Sequence, residues 1–268
     1  MNDFENKVVL ITGSGSGIGK ATAKLFCQQG ARVVLNGRDE LKLIKTKTEF
    51  ESIGLKVDYC VGDVTCRHDC AWLSNYIETN YGELSLFVAN ASLSMNGWFE
   101  DHSPDLYKEI LDSNVVSVTT PLYYFLPLLK KTKGSFIIIG SVAGFYGLPS
   151  ATAYSAGKAA IITLQQGLSV ELEKHSVHVG ILNLGFTEND RNKKLSAGKG
   201  KWLPVPKRPR FFVQSKEKAA KEILKMAKYR TKKKTLSLIG KLTEFVSRFC
   251  PGLIGFAARI RERKNKIV

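Results

Sequence analysis

The chain has 268 residues and an ordinary apolar fraction of 44 %, enough for one large α/β domain or two small ones, of which one is the simpler reading. No apolar run reaches the about 18 residues of a membrane-spanning helix, and the opening MNDFENK lacks the charged-then-apolar pattern of a secretory signal, so a cytoplasmic location is expected. The net charge of +16 is the unusual number; it invites nucleic acid or an anionic membrane surface as partner, and where the charge lies decides between them.

Lys7 to Thr12 (KVVLIT) reads as a short buried strand, followed by GSGSGIG and a helical pattern with Ile18, Ala21, Leu25 and Phe26 on one side. Strand, glycine turn and helix make a phosphate-binding arrangement: glycines let the backbone approach a pyrophosphate, and the free amides and positive dipole of the new helix meet the anion. The spacing is T-G-x-x-x-G-x-G, through Gly13, Gly17 and Gly19, and dinucleotide binding is expected.

Arg32 to Asn36 is the second strand, and the residue just beyond it should read the adenosine ribose. Gly37 and Arg38 stand there, where a carboxylate would select NAD. A guanidinium favours a 2′-phosphate instead, so NADP(H) is expected over NAD(H), with Asp39 placed to cap the next helix.

Val57 to Val61 gives a third strand ending in Gly62-Asp63-Val64, and Leu84 to Ala89 a fourth ending in Asn90-Ala91-Ser92. The alternation with helical stretches predicts a single-domain, doubly wound (Rossmann) parallel sheet with helices on both faces over residues 1–240. The five cysteines suit reduced, mostly buried thiols rather than disulfides; Cys66, His68 and Cys70 are followed by no second ligand pair at zinc spacing, so no metal is expected.

Leu106 to Lys131 reads as a long helical segment that Pro121 and Pro127 should kink or break. Asn114, on its apolar stretch, is either a satisfied core amide or part of a site. Phe136 to Ile139 is a buried strand with Ser141 just past its carboxyl end, where open α/β sheets place ligands. In the helical stretch from Ala153 to Leu172, Tyr154 and Lys158 are four apart and share a face. A phenol with pKa about 10 is a poor base at neutral pH, and a neighbouring ammonium favours the phenolate. Lowering it by about 3 units takes about 4 kcal/mol of differential stabilisation, attainable in a partly dry cleft.

TGSGSGIG, Asp63-Val64, Asn90-Ala91, Asn114, Ser141 and YSAGK occur in the order and at about the distances of the short-chain dehydrogenase/reductase family, which the chain resembles from roughly residue 5 to 240. The resemblance implies NAD(P)-dependent hydride exchange between carbonyl and alcohol, on a small-molecule substrate. It implies Tyr154 as acid/base, Lys158 lowering its pKa and holding the nicotinamide ribose, Ser141 orienting the substrate oxygen, and Asn114 supporting a proton-relaying water. The expected cofactor contacts are Gly13, Ser14, Ser16, Gly17, Ile18, Gly19, Arg38, Asp63, Val64, Asn90, Tyr154, Lys158 and Thr187, and a homo-oligomer is implied.

The chain departs from the family pattern in three places. Ala89-Asn90-Ala91-Ser92 replaces Asn-Asn-Ala-Gly, Leu184-Gly185 replaces Pro-Gly, and Ser16 lacks the basic side chain of many NADP-preferring relatives, so that preference rests on Arg38.

Residues 188–213 lose periodicity and are rich in Lys, Arg, Gly and Pro; they form either a lid over the substrate or a solvated basic loop. A final strand is expected around Leu236 and Leu238. Residues 241–268 then carry two apolar helical stripes, Leu242, Phe245, Val246, Phe249 and Leu253, Phe256, Ala257, Ile260, separated by Pro251-Gly252 and flanked by cations.

Such stripes either pack on the body or in a subunit interface, or lie on an anionic membrane surface; the flanking charge favours the membrane, and with it a hydrophobic substrate. The tail resembles those of the hydroxysteroid-dehydrogenase-like and lipid-acting reductase branch. With no nucleic-acid module in view, no nucleic-acid partner is expected. The competing function is a non-catalytic NADP-binding redox sensor or scaffold, for which an activated phenol has no use.

Overall fold

The computed structural model describes residues 3–188, 194–196, 202–204 and 213–265. Seven parallel strands form its centre: β1 (Val8–Thr12), β2 (Arg32–Gly37), β3 (Val57–Val61), β4 (Leu86–Ala89), β5 (Ser135–Ser141), β6 (His178–Leu184) and β9 (Lys233–Thr235), in the order β3-β2-β1-β4-β5-β6-β9. A separate antiparallel pair joins β7 (Lys194–Ser196) to β8 (Trp202–Pro204), inside the expected substrate loop; the rest of 189–212, including Phe211 and Phe212, lies outside the described residues.

β1, β4, β5 and β6 are buried at every position, and most of their residues are apolar, because both sheet faces are covered. Val9 and Ile11 face one core with Phe26 of α1 (Gly17–Gln28), Phe50 of α2 (Glu40–Glu51) and Ile223 of α7 (Lys216–Tyr229). Val8 and Leu10 face the other, with Leu73 of α3 (Arg67–Tyr81), Phe125 of α5 (Ser117–Thr132) and Ile161 of α6 (Thr152–Glu171). Fully burying one such side chain contributes about 1.5–3 kcal/mol. β1 pairs with both β2 and β4, so the connections run outward in opposite senses from this point, and the carboxyl ends of β1 and β4 open a crevice there.

Two expectations are corrected. The long helix is not broken at its prolines: both lie inside α5, and the interruption is a π-helical turn, Asp112–Val116, between α4 (Pro104–Leu111) and α5. Hydroxyls bond carbonyls around that turn, Ser117 to Ser113 at 2.7 Å and Thr119 to Val115 at 3.3 Å. The last strand is Lys233–Thr235, earlier than Leu236 and Leu238. As an edge strand it tolerates lysines, with Thr235 as its one buried side chain. Ser237 then accepts a hydrogen bond from the Gly240 amide at 2.9 Å and starts α8 (Leu238–Phe249); Cys250 separates it from α9 (Pro251–Asn265), which opens on a proline.

Candidate active site

The glycine turn between β1 and α1 is held from three sides. Ser14 is fully buried; its amide donates to the Asn36 carbonyl and its hydroxyl accepts from the Asn36 amide at 2.9 Å, so this residue braces the turn against β2. Thr12 Oγ1 accepts the amides of Asn90 and Ala91, both at 3.0 Å, while Asn90 Nδ2 donates to the Thr12 carbonyl at 2.9 Å. This interlock ties the ends of β1 and β4, and nothing in the spacing of the sequence announces it. Gly13 has a positive φ of 64°, and a Cβ on Gly19 would stand 2.4 Å from the Gly13 carbonyl oxygen, so the turn closes only with glycines there. Ser16 is exposed and caps α1 without a side-chain hydrogen bond, leaving the first amides of α1, beside Gly17 and Ile18, free of side-chain competition. This arrangement fits the pyrophosphate of a dinucleotide.

Beyond β2 and β3, Arg38 and Asp63 form an ion pair of 3.4 Å at the rim of a cleft of about 240 Å³, lined also by Thr65, Leu93 and Ser113. Burial, the largest influence, pushes the Asp63 carboxyl upward. The Thr65 amide and hydroxyl and the Arg38 guanidinium together outweigh it and hold the group below the ordinary carboxylate range. Val64 is buried beside it and its carbonyl accepts from the Cys70 thiol, while Asp39 caps α2 as expected. Cys27, Cys60 and Cys70 are buried with thiols pushed up to about 12, and Cys66 and Cys250 are exposed and unbridged.

At the ends of β5 and β6 the remaining groups meet. Ser141 is the last residue of β5, its hydroxyl accepting from the Ala143 amide at 3.2 Å and hydrogen-bonded to the Tyr154 hydroxyl. Lys158 is 3 % exposed; its ammonium donates to the Ile139 carbonyl at 3.0 Å and lies 5.7 Å from the centre of the Tyr154 ring. Burial pushes the Tyr154 phenol above its ordinary value, with the Ser141 hydrogen bond opposing it. The ammonium therefore sits over the ring face, and burial outweighs the lowering that the sequence suggested.

The π turn aims Asn114 inward at 1 % exposure: its Nδ2 donates to the carbonyls of Leu93 and Ile110, both at 2.8 Å, while its buried Oδ1 has no hydrogen-bond partner among the described residues. A buried acceptor in this position suits a water or ligand hydroxyl. Gly157 on α6 makes the approach possible, since a Cβ there would stand 2.8 Å from Asn114 Cβ. Thr187, after β6, bridges to Gln214, and its hydroxyl reaches the Gly185 carbonyl at 3.4 Å. Sequence reasoning missed Thr12 and Gly157, whose signal is a small residue facing an asparagine.

A doubly wound parallel sheet with a glycine-turn cradle at its crevice, and a serine, tyrosine and lysine gathered along the same edge, defines the class of nicotinamide-dependent α/β oxidoreductases. Comparison with known proteins specifies it further. Residues 7–200 match the short chain dehydrogenase family. The chain is 32 % identical over 193 residues to 3-oxoacyl-(acyl-carrier-protein) reductase FabG of Thermotoga maritima, covering 72 % of this chain and 78 % of that protein.

It is 33 % identical over 189 residues to an uncharacterised oxidoreductase of Staphylococcus aureus strain USA300, covering 70 % and 81 %. The alcohol dehydrogenase of the archaeon Thermococcus sibiricus, solved with 5-hydroxy-NADP, superposes with a TM-score of 0.75 at 25 % identity, covering 87 % of this chain and 96 % of that one. The chain belongs to the short-chain dehydrogenase/reductase family and is an NAD(P)-dependent oxidoreductase of alcohol and carbonyl groups.

Proposed function

We propose that this enzyme prefers NADP(H) and exchanges a hydride with a hydrophobic carbonyl or alcohol, using Tyr154 as the acid/base. The observation that carries the reading is the hydrogen bond between the Tyr154 and Ser141 hydroxyls with the Lys158 ammonium over the same ring. Ser141 donates to the substrate oxygen and holds it beside the phenol. Tyr154 gives its proton to that oxygen in reduction and takes it back in oxidation. Lys158 favours the phenolate and holds the ribose hydroxyls of the cofactor, and Asn114 Oδ1 accepts from a water that returns protons through Lys158. Gly13, Ser16, Gly17, Ile18 and Gly19 receive the pyrophosphate, while Ser14 acts through the shape of the turn. Asp63, Val64 and Asn90 border the adenosine, and Thr187 meets the nicotinamide amide. The bound nicotinamide supplies or accepts the hydride.

Arg38 supports NADP(H), because the position after β2 holds a guanidinium in place of a carboxylate. A hydrophobic substrate and contact with an anionic membrane from the cytoplasmic side are supported by the apolar side chains exposed on α8 and α9. A homo-oligomer is supported by exposed Leu111 and Tyr123 on α4 and α5. The domain is taken as residues 1–240, with 188–213 as its substrate loop and 241–268 as its tail. A panel of ketones and alcohols, followed by nicotinamide absorbance with each cofactor, tests the reading. Turnover of apolar ketones with NADPH above NADH is expected, and equal use of both cofactors, or turnover confined to small polar carbonyls, contradicts it.

A further inference from the structure

Helices α8 and α9 turn their small residues inward and their large apolar ones outward. Gly240 and Gly255 are buried, yet Leu238, Leu242, Phe245 and Phe249 on α8 are 60–83 % exposed, and Leu253, Phe256 and Ile260 on α9 are 39–62 % exposed. At 100° per residue each set forms one stripe. A helix that packed its apolar face on the body would show the reverse. The stripes therefore lack a partner among the described residues, and they exceed the scattered apolar residues of an ordinary surface.

What the inward glycines touch is the turn that follows Ser141. A Cβ on Gly240 would stand 2.7 Å from Val142 Cγ1, and one on Gly255 would stand 2.7 Å from the Tyr146 hydroxyl. The tail is held at its base as well. Glu244 accepts from Thr235 Oγ1 at 2.6 Å and pairs with Lys233, whose ammonium lies 5.4 Å from the centre of the Phe145 ring. Both helices are thereby seated on the segment from Val142 to Tyr146, immediately beside Ser141 and Tyr154.

Charge selects the occupant. Residues 238–268 carry seven Lys or Arg against two Glu, and Lys241, Arg248 and Arg259 are exposed beside the stripes. Of the two acids, Glu244 is already paired with Lys233. A second copy of this chain would bring the same cations against themselves, whereas anionic headgroups complement them while acyl chains receive the stripes. No helix among the described residues is long and apolar enough to cross a membrane, so the helices would lie in the interface plane.

We propose that the outward face of α8 and α9 docks on an anionic lipid bilayer and that, because both helices sit on the Ser141 turn, docking sets the mouth of the substrate site against the lipid. This rests on the reading of the site as one for hydrophobic carbonyls. Uptake of such a substrate then depends on the surface, while a small water-soluble carbonyl reaches the site from either side.

The test uses the full-length protein, with vesicles of phosphatidylcholine alone or mixed with phosphatidylserine. Cosedimentation is expected with the mixed vesicles only, falling about tenfold or more from low salt to 0.5 M as the headgroup attraction is screened. A triple variant, Phe245→Ser, Phe249→Ser and Phe256→Ser, changes exposed side chains, so its melting temperature and NADPH affinity should stay at the parent values while vesicle binding is lost. Cys250, exposed between the helices, reports directly: in a Cys66→Ser background, bimane on Cys250 should shift to the blue with mixed vesicles.

The KM for a long-chain 2-alkanone should fall several-fold with mixed vesicles, and the KM for a short diketone should not move. Absence of salt-sensitive binding, or equal binding by the triple variant, overturns the docking. So does a parent dimer that the triple variant splits without any vesicle binding by the parent, which would assign the face to a second copy. Docking with an unchanged alkanone KM overturns the placement of the entrance. Docking with no turnover of any carbonyl leaves the bilayer surface standing and removes the functional reading instead.

Discussion

Arg38 and Asp63 stand 3.4 Å apart at the rim of the cleft beyond β2 and β3, so a 2′-phosphate bound there, as proposed, would compete with a carboxylate for the guanidinium. The contest favours the phosphate, because an ion pair this exposed contributes about 0–1 kcal/mol, whereas a charge-assisted hydrogen bond to a phosphate contributes about 1.5–3 kcal/mol. Arg38→Asp is expected to shift the ratio of kcat/KM for NADPH over NADH by about tenfold or more. An unchanged ratio would remove Arg38 from the cofactor contact. Lys158 has two assigned tasks, and Lys158→Met should lower turnover and weaken NADPH binding together. A variant that lost rate with unchanged cofactor affinity, read by NADPH fluorescence titration, would separate them. Burial raises the Tyr154 phenol, so its proton is retained through neutral pH. Carbonyl reduction should therefore hold level across the neutral range, while alcohol oxidation, which needs the phenolate, should climb with pH.

Most of these residues were legible from spacing. The i, i+4 relation of Tyr154 and Lys158 survives any shift in helix ends, and Ser141 follows an apolar strand that has no other way to be buried. The state of the phenol was not legible. It is set first by how deeply the phenol is buried, which no local pattern encodes; nor does spacing show that Lys158 turns toward the Ile139 carbonyl, a contact between residues 19 apart.

Among the elements, the junction of α4 and α5 shows what tertiary context adds. Prolines suggested a kink or a break at 121 and 127; the helix runs through both, and the break falls at Asp112–Val116, which takes up the extra residue and turns Asn114 toward α6. Gly157→Ala tests that packing with a sign opposite to helix propensity. Propensity alone would stabilise α6 by about 1 kcal/mol, whereas pressing a Cβ within 2.8 Å of Asn114 Cβ costs about 1–3 kcal/mol of overpacking. A lower urea midpoint and reduced turnover are expected, and a raised midpoint would contradict the contact.

At the start of β6, His178 is buried and its imidazole is lowered to about 4, by desolvation first and by the Arg230 charge next. The unfolded chain binds this proton from about pH 6.5 downward and the folded chain only near 4, so stability should fall as pH drops through that window, by about 3 kcal/mol in all. His178→Phe should flatten the acid limb of the urea midpoint against pH. An equally steep limb in the variant would assign the loss elsewhere. The last strand was misplaced in the sequence for a related reason: an edge strand buries one face of one residue, so Lys233 and Lys234 carry no strand signal.

Across the whole molecule, the parallel sheet, its crevice and the glycine turn put the cofactor cradle and the Ser141, Tyr154 and Lys158 group along one edge, and the tail helices rest on that same edge. Order of elements was readable because the alternation of apolar strand and helix admits few windings. The outward aim of the tail stripes was not, since periodicity gives a stripe but not the side it faces. The role proposed for Tyr154 is to carry the proton in an NADP(H)-dependent reduction. Its most direct test is the single-turnover rate of NADPH oxidation with a ketone accepted by the parent enzyme, measured in parent and Tyr154→Phe alongside NADPH affinity. A fall of about a hundred- to ten-thousand-fold in rate with affinity nearly unchanged is expected; a variant that reduces the ketone at a rate near the parent's would take the proton transfer away from Tyr154.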